Sequence, residues 1–209
     1  MELLTLWTIV ILLLTTIWIG MARETRLASG GYILQMLFIL ILYARNIEGL
    51  RDPLLWLSWA GMAIIRLIGV PLIIRHYLPT LWWKERVMQD LLNPQGAAFL
   101  FGILAATGFF TGSFALSSPL AGGVLGMLLV GLAIVLLKHD PSKQIFGLLT
   151  ADNSVDLILI NLLDKTTLDA ELAIYTSVFL AVFCLVLLAR ILHYRSDLRS
   201  TRELSQLRG

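Results

Sequence analysis

An all-α integral membrane protein of about seven transmembrane helices is the architecture that composition, spacing and charge placement point to. Of the 209 residues, 58% are hydrophobic and only 14% are charged, with a mean hydropathy of +0.84. A soluble domain is usually about 45–50% apolar and about 25% charged. The apolar residues fall into runs long enough to cross a hydrocarbon core of about 30 Å. The charged residues gather at the ends of those runs. They do not form an aromatic-studded basic face, so nucleic-acid binding has no support.

The first run, Leu3 to Met21, has spanning length, carries Glu2 where a secretory leader has a basic region, and is stopped by Arg23 and Arg26. It is predicted to be a retained helix. Gly30-Gly31 opens a second, shorter span ending near Ala44, followed by the charge-balanced link Arg45 to Pro53. The third span, Leu54 to Ile74, contains Arg66 and, five residues on, Pro71, which removes a backbone donor and favours a kink. After Arg75, His76 and Tyr77, a long connection holds Trp82-Trp83, Lys84, Glu85 and Arg86, the composition of an interfacial segment. Ala97 to Leu116 and Leu120 to Leu137 are glycine-rich fourth and fifth spans. Gly108 with Gly112, and Gly122 with Gly126, have the spacing that lets helices approach closely. The sixth span is Lys143 to Leu163 and the seventh Leu172 to Leu192, ahead of a basic, water-soluble tail. The division expected is a four-helix region over residues 1–117, a three-helix region over 118–194, and a tail over 195–209.

Orientation follows from the basic residues. With the C-terminus inside and seven alternating spans, twelve of the sixteen Lys and Arg residues lie inside. Arg45, Arg51 and Lys165 lie outside, and Arg66 is within a span. This positive-inside bias predicts an outer N-terminus and a cytoplasmic C-terminus.

The sixth span is where chemistry concentrates. Near its middle stand Thr150, Asp152, Asn153, Ser154 and Asp156. A carboxylate at a helix centre in the bilayer costs about 2.5–3.5 kcal/mol on insertion scales, so two of them require a use or a partner. At about 1.5 Å rise per residue, Asp152 lies roughly 14 Å from Lys143, close to mid-bilayer. Asp152 and Asp156 are four apart and share a helix face. Three readings stand side by side. The carboxylates belong to a proton or water path, with Asn153 holding water or a neighbouring helix. Or Asp152 caps a second half-helix at a local break. Or the carboxylates form a structural ion pair. Arg66, always charged, is the natural intramembrane counter-charge. His76, His139 and His193 are scattered near span ends, without metal-ligand spacing. The single cysteine, Cys184, sits in the apolar run FLAVFCLVLLA and reads as lipid- or core-facing filler. No nucleophile elbow, phosphate loop, CxxC pair or HExxH is present. No catalytic residue, metal ligand or cofactor-binding residue is therefore assigned.

The segments QIFGLLTADNS and LAVFCLVLLARIL, the stretch from Arg66 through Pro71-Leu-Ile, and the closing LSQLRG resemble hydrogenase-4 component E, a membrane subunit of group 4 [NiFe] hydrogenase and formate hydrogenlyase-type complexes. The resemblance covers nearly the whole chain and is most specific in the last third. From about Leu120 onward the chain is also similar to the K-type subunit of complex I and the C subunit of Mrp antiporters. The resemblance implies a non-catalytic membrane-arm subunit without a cofactor of its own, in the cell's inner membrane. It would sit between larger antiporter-like subunits and the membrane anchor, with redox chemistry on partner chains. It also implies that Asp152 stands where relatives place a glutamate followed by asparagine in a lateral proton path. Two departures are visible. Counting back about thirteen residues from Arg190, where relatives carry a second acid, lands on Ser177, and neither Asp156 nor Glu171 is in register. The basic residue before the proline is usually lysine in the family; Arg66 keeps the charge and excludes a switchable-lysine mechanism.

Overall fold

In the computed structural model, the residues described are 2–47, 53–77, 93–138, 140–161, 176 and 178–188. Every regular element among them is a helix. The interfacial segment at Trp82-Trp83, His139, His193, Ser177, Glu171 and the tail lie outside the described residues.

Helix α1 runs Glu2–Met21 and α2 runs Thr25–Ile47. The second helix starts five residues before the expected Gly30 opening. The exposed Arg26 lies in its first turn without interrupting it, and Gly31 packs onto Ile19 of α1. The third span is α3 (Pro53–Met62), a π turn (Ala63–Gly69) and α4 (Val70–Tyr77) in continuous succession. Pro71 thus stands just beyond a stretch of widened helix. Helix α5 is Pro94–Leu116, α6 is Pro119–Leu137 and α7 is Pro141–Asn161. A short apolar helix α8 covers Val178–Leu188, most of the described part of the expected seventh span. Among the described residues, four helical stretches are long and apolar enough to cross a membrane: Thr25–Asn46, Leu55–His76, Gln95–Leu116 and Pro119–Leu137.

Local chemistry sets the helix starts. Asn93 Oδ1 accepts the Gly96 N–H at 2.7 Å, with Pro94 in the first turn, where a missing N–H costs nothing. Asp140 Oδ1 accepts both the N–H and the hydroxyl of Ser142, at 2.9 and 2.7 Å, opening α7. Ser117, at φ 49°, takes the left-handed turn that ends α5 and sends the chain back into α6.

The two glycine pairs meet in one seam. A Cβ on Gly108 would reach the Gly126 backbone at 2.6 Å, and one on Gly112 the Ala121 carbonyl at 2.6 Å. A Cβ on Gly122 would collide with Ser113 Oγ and the Phe109 carbonyl. Helix α6 then packs its other side on α7 just as closely, with Gly131 opposite Gly147 and Ala151. Helix α1 lies against α2, α5 and α6, and α2 lies against α7 and the π turn. Polar groups are buried beside an apolar core, and large apolar side chains face outward. Thr16, Gln35, Ser58, Arg66, Asn153 and Asp156 are buried, while Phe99, Ile103, Phe110 and Phe114 make an exposed stripe along α5. That is the arrangement a hydrocarbon surround requires, and the protein is an all-α integral membrane protein.

Candidate functional site

Helix α7 is unbroken from Pro141 to Asn161. Asp152 therefore caps nothing, which removes the half-helix reading. Two members of the polar knot are satisfied within the helix: Thr150 Oγ1 donates to the Phe146 carbonyl at 2.8 Å, and the Ser154 hydroxyl donates to the Ala151 carbonyl. Asp152, Asn153 and Asp156 reach outward to neighbouring helices.

Arg66, 1% exposed, comes from the π turn and sits between the two aspartates. Its Nη2 lies 2.8 Å from Asp152 Oδ2, and its Nη1 donates to Asp156 Oδ2. The pair is unequal in environment: the Asp152 side chain is 25% exposed and that of Asp156 is 2% exposed. Asp152 shares its side of α7 with the exposed Leu148 and Val155, so one end of the cluster meets the protein's surroundings and the other is enclosed.

The π turn has a visible local cause and a visible repair. The Val70 N–H bonds the Ile65 carbonyl, five residues back. The next bond in that register would run from residue 71 to the Arg66 carbonyl, but Pro71 has no N–H. The hydroxyl of Tyr32, from α2, donates to that carbonyl at 3.3 Å. The buried Tyr32 ring packs against Phe146 of α7, centroids 6.1 Å apart. One tyrosine thus ties the backbone that carries the arginine to the helix that carries the aspartates.

Asn153 reaches a different helix. Its Nδ2 donates to Gln35 Oε1 at 2.7 Å, Gln35 Nε2 donates to Thr16 Oγ1 at 2.7 Å, and Thr16 Oγ1 donates to the Leu12 carbonyl at 2.8 Å. A directed hydrogen-bond chain therefore crosses from α7 through α2 to α1. The sequence reading named Arg66, Asp152, Asn153 and Asp156, and these four are contiguous here. It missed Tyr32, Gln35 and Thr16. Gln35 carried a usable signal, since it is the lone polar side chain between Tyr32 and Tyr43 in a spanning run.

The arrangement can hold charge, exchange protons at its carboxyl groups, and order water through carboxyl and carboxamide hydrogen bonds. Among the described residues no three His, Cys, Asp or Glu side chains converge as metal ligands.

Fold and site together define an all-α membrane protein organised around a buried arginine with two aspartates. The chain is similar to hydrogenase-4 component E of Escherichia coli strain K12, of Escherichia coli O157:H7 and of Shigella flexneri. Each is 26% identical over 213 aligned positions, covering 95% of this chain and 94% of the relative. The resemblance carried by the short motifs therefore extends along nearly the full length. No protein-family model matches the chain, and no solved structure matches it.

Proposed function

We propose that the protein is a non-catalytic membrane-arm subunit of a hydrogenase-type, complex I-like membrane complex, and that Arg66, Asp152, Asp156 and Asn153 form part of a hydrated proton path through it. The end-to-end similarity to hydrogenase-4 component E supports the first half. The observation that carries the second is the pairing of a half-buried carboxylate with an enclosed one across a single guanidinium. A pair built only for stability has no need of the extra acid, because one carboxylate neutralises one arginine.

In this reading Asp152 is the port toward a neighbouring subunit and Asp156 the inner station. Larger antiporter-like subunits and a membrane-anchor subunit are the partners. The complex lies in the inner membrane, with this chain's N-terminus outside and its C-terminus in the cytoplasm. A free-standing transporter is disfavoured, since such folds present discontinuous helices at the binding site in both halves, and α7 is continuous through its acids.

The test is Asp152→Asn in the intact complex, reading proton uptake per turnover. Loss of uptake with the complex still assembled supports the path; unchanged uptake reduces the cluster to a scaffold. Affinity purification of the tagged chain in mild detergent is expected to recover antiporter-like and iron–sulfur or nickel chains. Recovery as a monomer or homo-oligomer would overturn the assignment to a complex.

A further inference from the structure

The orientation of the Asn153 amide is forced from a distance. The Thr16 hydroxyl spends its proton on the Leu12 carbonyl, so toward Gln35 it can only accept. Gln35 must therefore turn its NH2 to Thr16 and its oxygen to Asn153, and Asn153 must answer with its NH2. This leaves Asn153 Oδ1 as a buried acceptor with no donor among the described residues, and Asp156 Oδ1 is in the same condition. Residues 153 and 156 are three apart on a helix, which makes their side chains neighbours. Two enclosed acceptors on adjoining positions of one helix face, with no donor to either among the described residues, are costly.

The charge count has the same defect. From the π turn the cluster receives one cation, Arg66. From α7 it receives two carboxyls, Asp152 and Asp156, and from α2 the phenol of Tyr32. Helix α6 carries no titratable residue, α1 contributes only uncharged threonines here, and Cys184 of α8 is exposed. Among the described residues, two ionised aspartates against one arginine leave a net charge of −1 in a site enclosed at its Asp156 end.

We propose that the cluster holds one proton at rest, on Oδ1 of Asp156 and donated to Oδ1 of Asn153, with Gln35 and Thr16 as the positioning residues that aim that oxygen. The proton is an equilibrium ligand taken from solvent. It removes both faults at once: Asp156 Oδ1 becomes a donor, Asn153 Oδ1 gains a partner, and the cluster becomes neutral. It sits on the more enclosed carboxyl, where charge costs most, and leaves the half-exposed Asp152 as the anion paired with Arg66. The proposal sharpens the proton-path reading, but its readout is a state at rest and fails or stands whether or not protons move.

The experiment is infrared spectroscopy of the full chain in lipid nanodiscs at neutral pH, unlabelled and with side-chain 13C-aspartate. The expected result is a carboxylic-acid C=O band that shifts on 13C labelling and on H/D exchange, disappears in Asp156→Asn and persists in Asp152→Asn. In Gln35→Leu the band should remain but move to higher frequency, because the Asn153 amide is no longer held. Asp156→Asn replaces a neutral acid with a neutral isostere, so its thermal midpoint should match the wild type. No labelled band in the wild type, a band that survives Asp156→Asn, or failure of Asp156→Asn to fold would each overturn the proposal. So would a missing band together with stabilisation by sodium chloride but not by choline chloride, which would assign the balancing charge to a metal cation.

Discussion

Replacing Arg66 with glutamine gives the sharpest test of the energetics. The guanidinium is 1% exposed and lies between two carboxylates, so its removal leaves at least the Asp152 charge unpaired in a site sealed on one side. Breaking a buried ion pair by deleting one partner costs about 3–5 kcal/mol. At about 1.4 kcal/mol per factor of ten, that is roughly two to three and a half powers of ten in the folded-to-unfolded ratio. The assay is reversible unfolding of the purified chain in mixed micelles of increasing denaturing-detergent fraction. The partner acid supplies the control: Arg66→Gln with Asp152→Asn removes both charges, and the double variant is expected to recover at least about half of the loss. Arg66→Lys should fall between, because an ammonium keeps the charge but cannot fork to both carboxylates. An Arg66→Gln chain within about 0.5 kcal/mol of wild type, with no recovery in the double variant, would refute the ion cluster as a stabilising element.

Three further outcomes follow from the packing. Tyr32→Phe should cost about 1 kcal/mol in the native background, where the hydroxyl serves the carbonyl that Pro71 cannot reach, and close to nothing in Pro71→Ala, whose new N–H supplies a donor; equal costs in both backgrounds would break the link between the proline and the tyrosine. Gly131→Ala should destabilise by about 1–3 kcal/mol, since its Cβ would lie 2.7 Å from the Ala151 backbone nitrogen, one residue from Asp152. Gly30→Ala, with nothing within 4 Å of the added methyl, should instead stabilise by about 0.4–1 kcal/mol; both are read as shifts in unfolding midpoint.

The sequence made the acids and the arginine conspicuous for a simple reason: charge is rare in apolar runs, and its spacing along a helix gives a face. Asp152 and Asp156 could be placed together because both belong to one helix. The contact between Arg66 and Asp156 spans 90 positions of sequence, and which helices bring them together is a tertiary fact that hydropathy does not encode. The glycine pairs were legible as small-residue spacings, and all four residues lie in the α5–α6 seam. Gly131 and Gly147 face each other across two helices and neither has a glycine four residues away, so the GxxxG spacing does not mark them, although Gly147 with Ala151 is a looser small-residue pair. Pro71 announced a disturbance but not its form, since a kink and a π turn share the same missing donor. Gln35 carries no charge and so stands out less in an apolar run, although a buried carboxamide has the same need for partners.

The π turn between Ala63 and Gly69 has a consequence for how this span tolerates change. Its bonds skip five residues instead of four, so the segments on either side keep time like two gears meshed one tooth apart. A single-residue deletion inside 63–69 would let the whole rod revert to uniform winding. The segments on either side would keep their facing, because the wider winding absorbs one extra residue, whereas a deletion between Val70 and Tyr77 would rotate everything beyond it by about 100° while shortening the span by only about 1.5 Å. Insertions and deletions in this span are therefore filtered by angular phase far more strictly than by thickness.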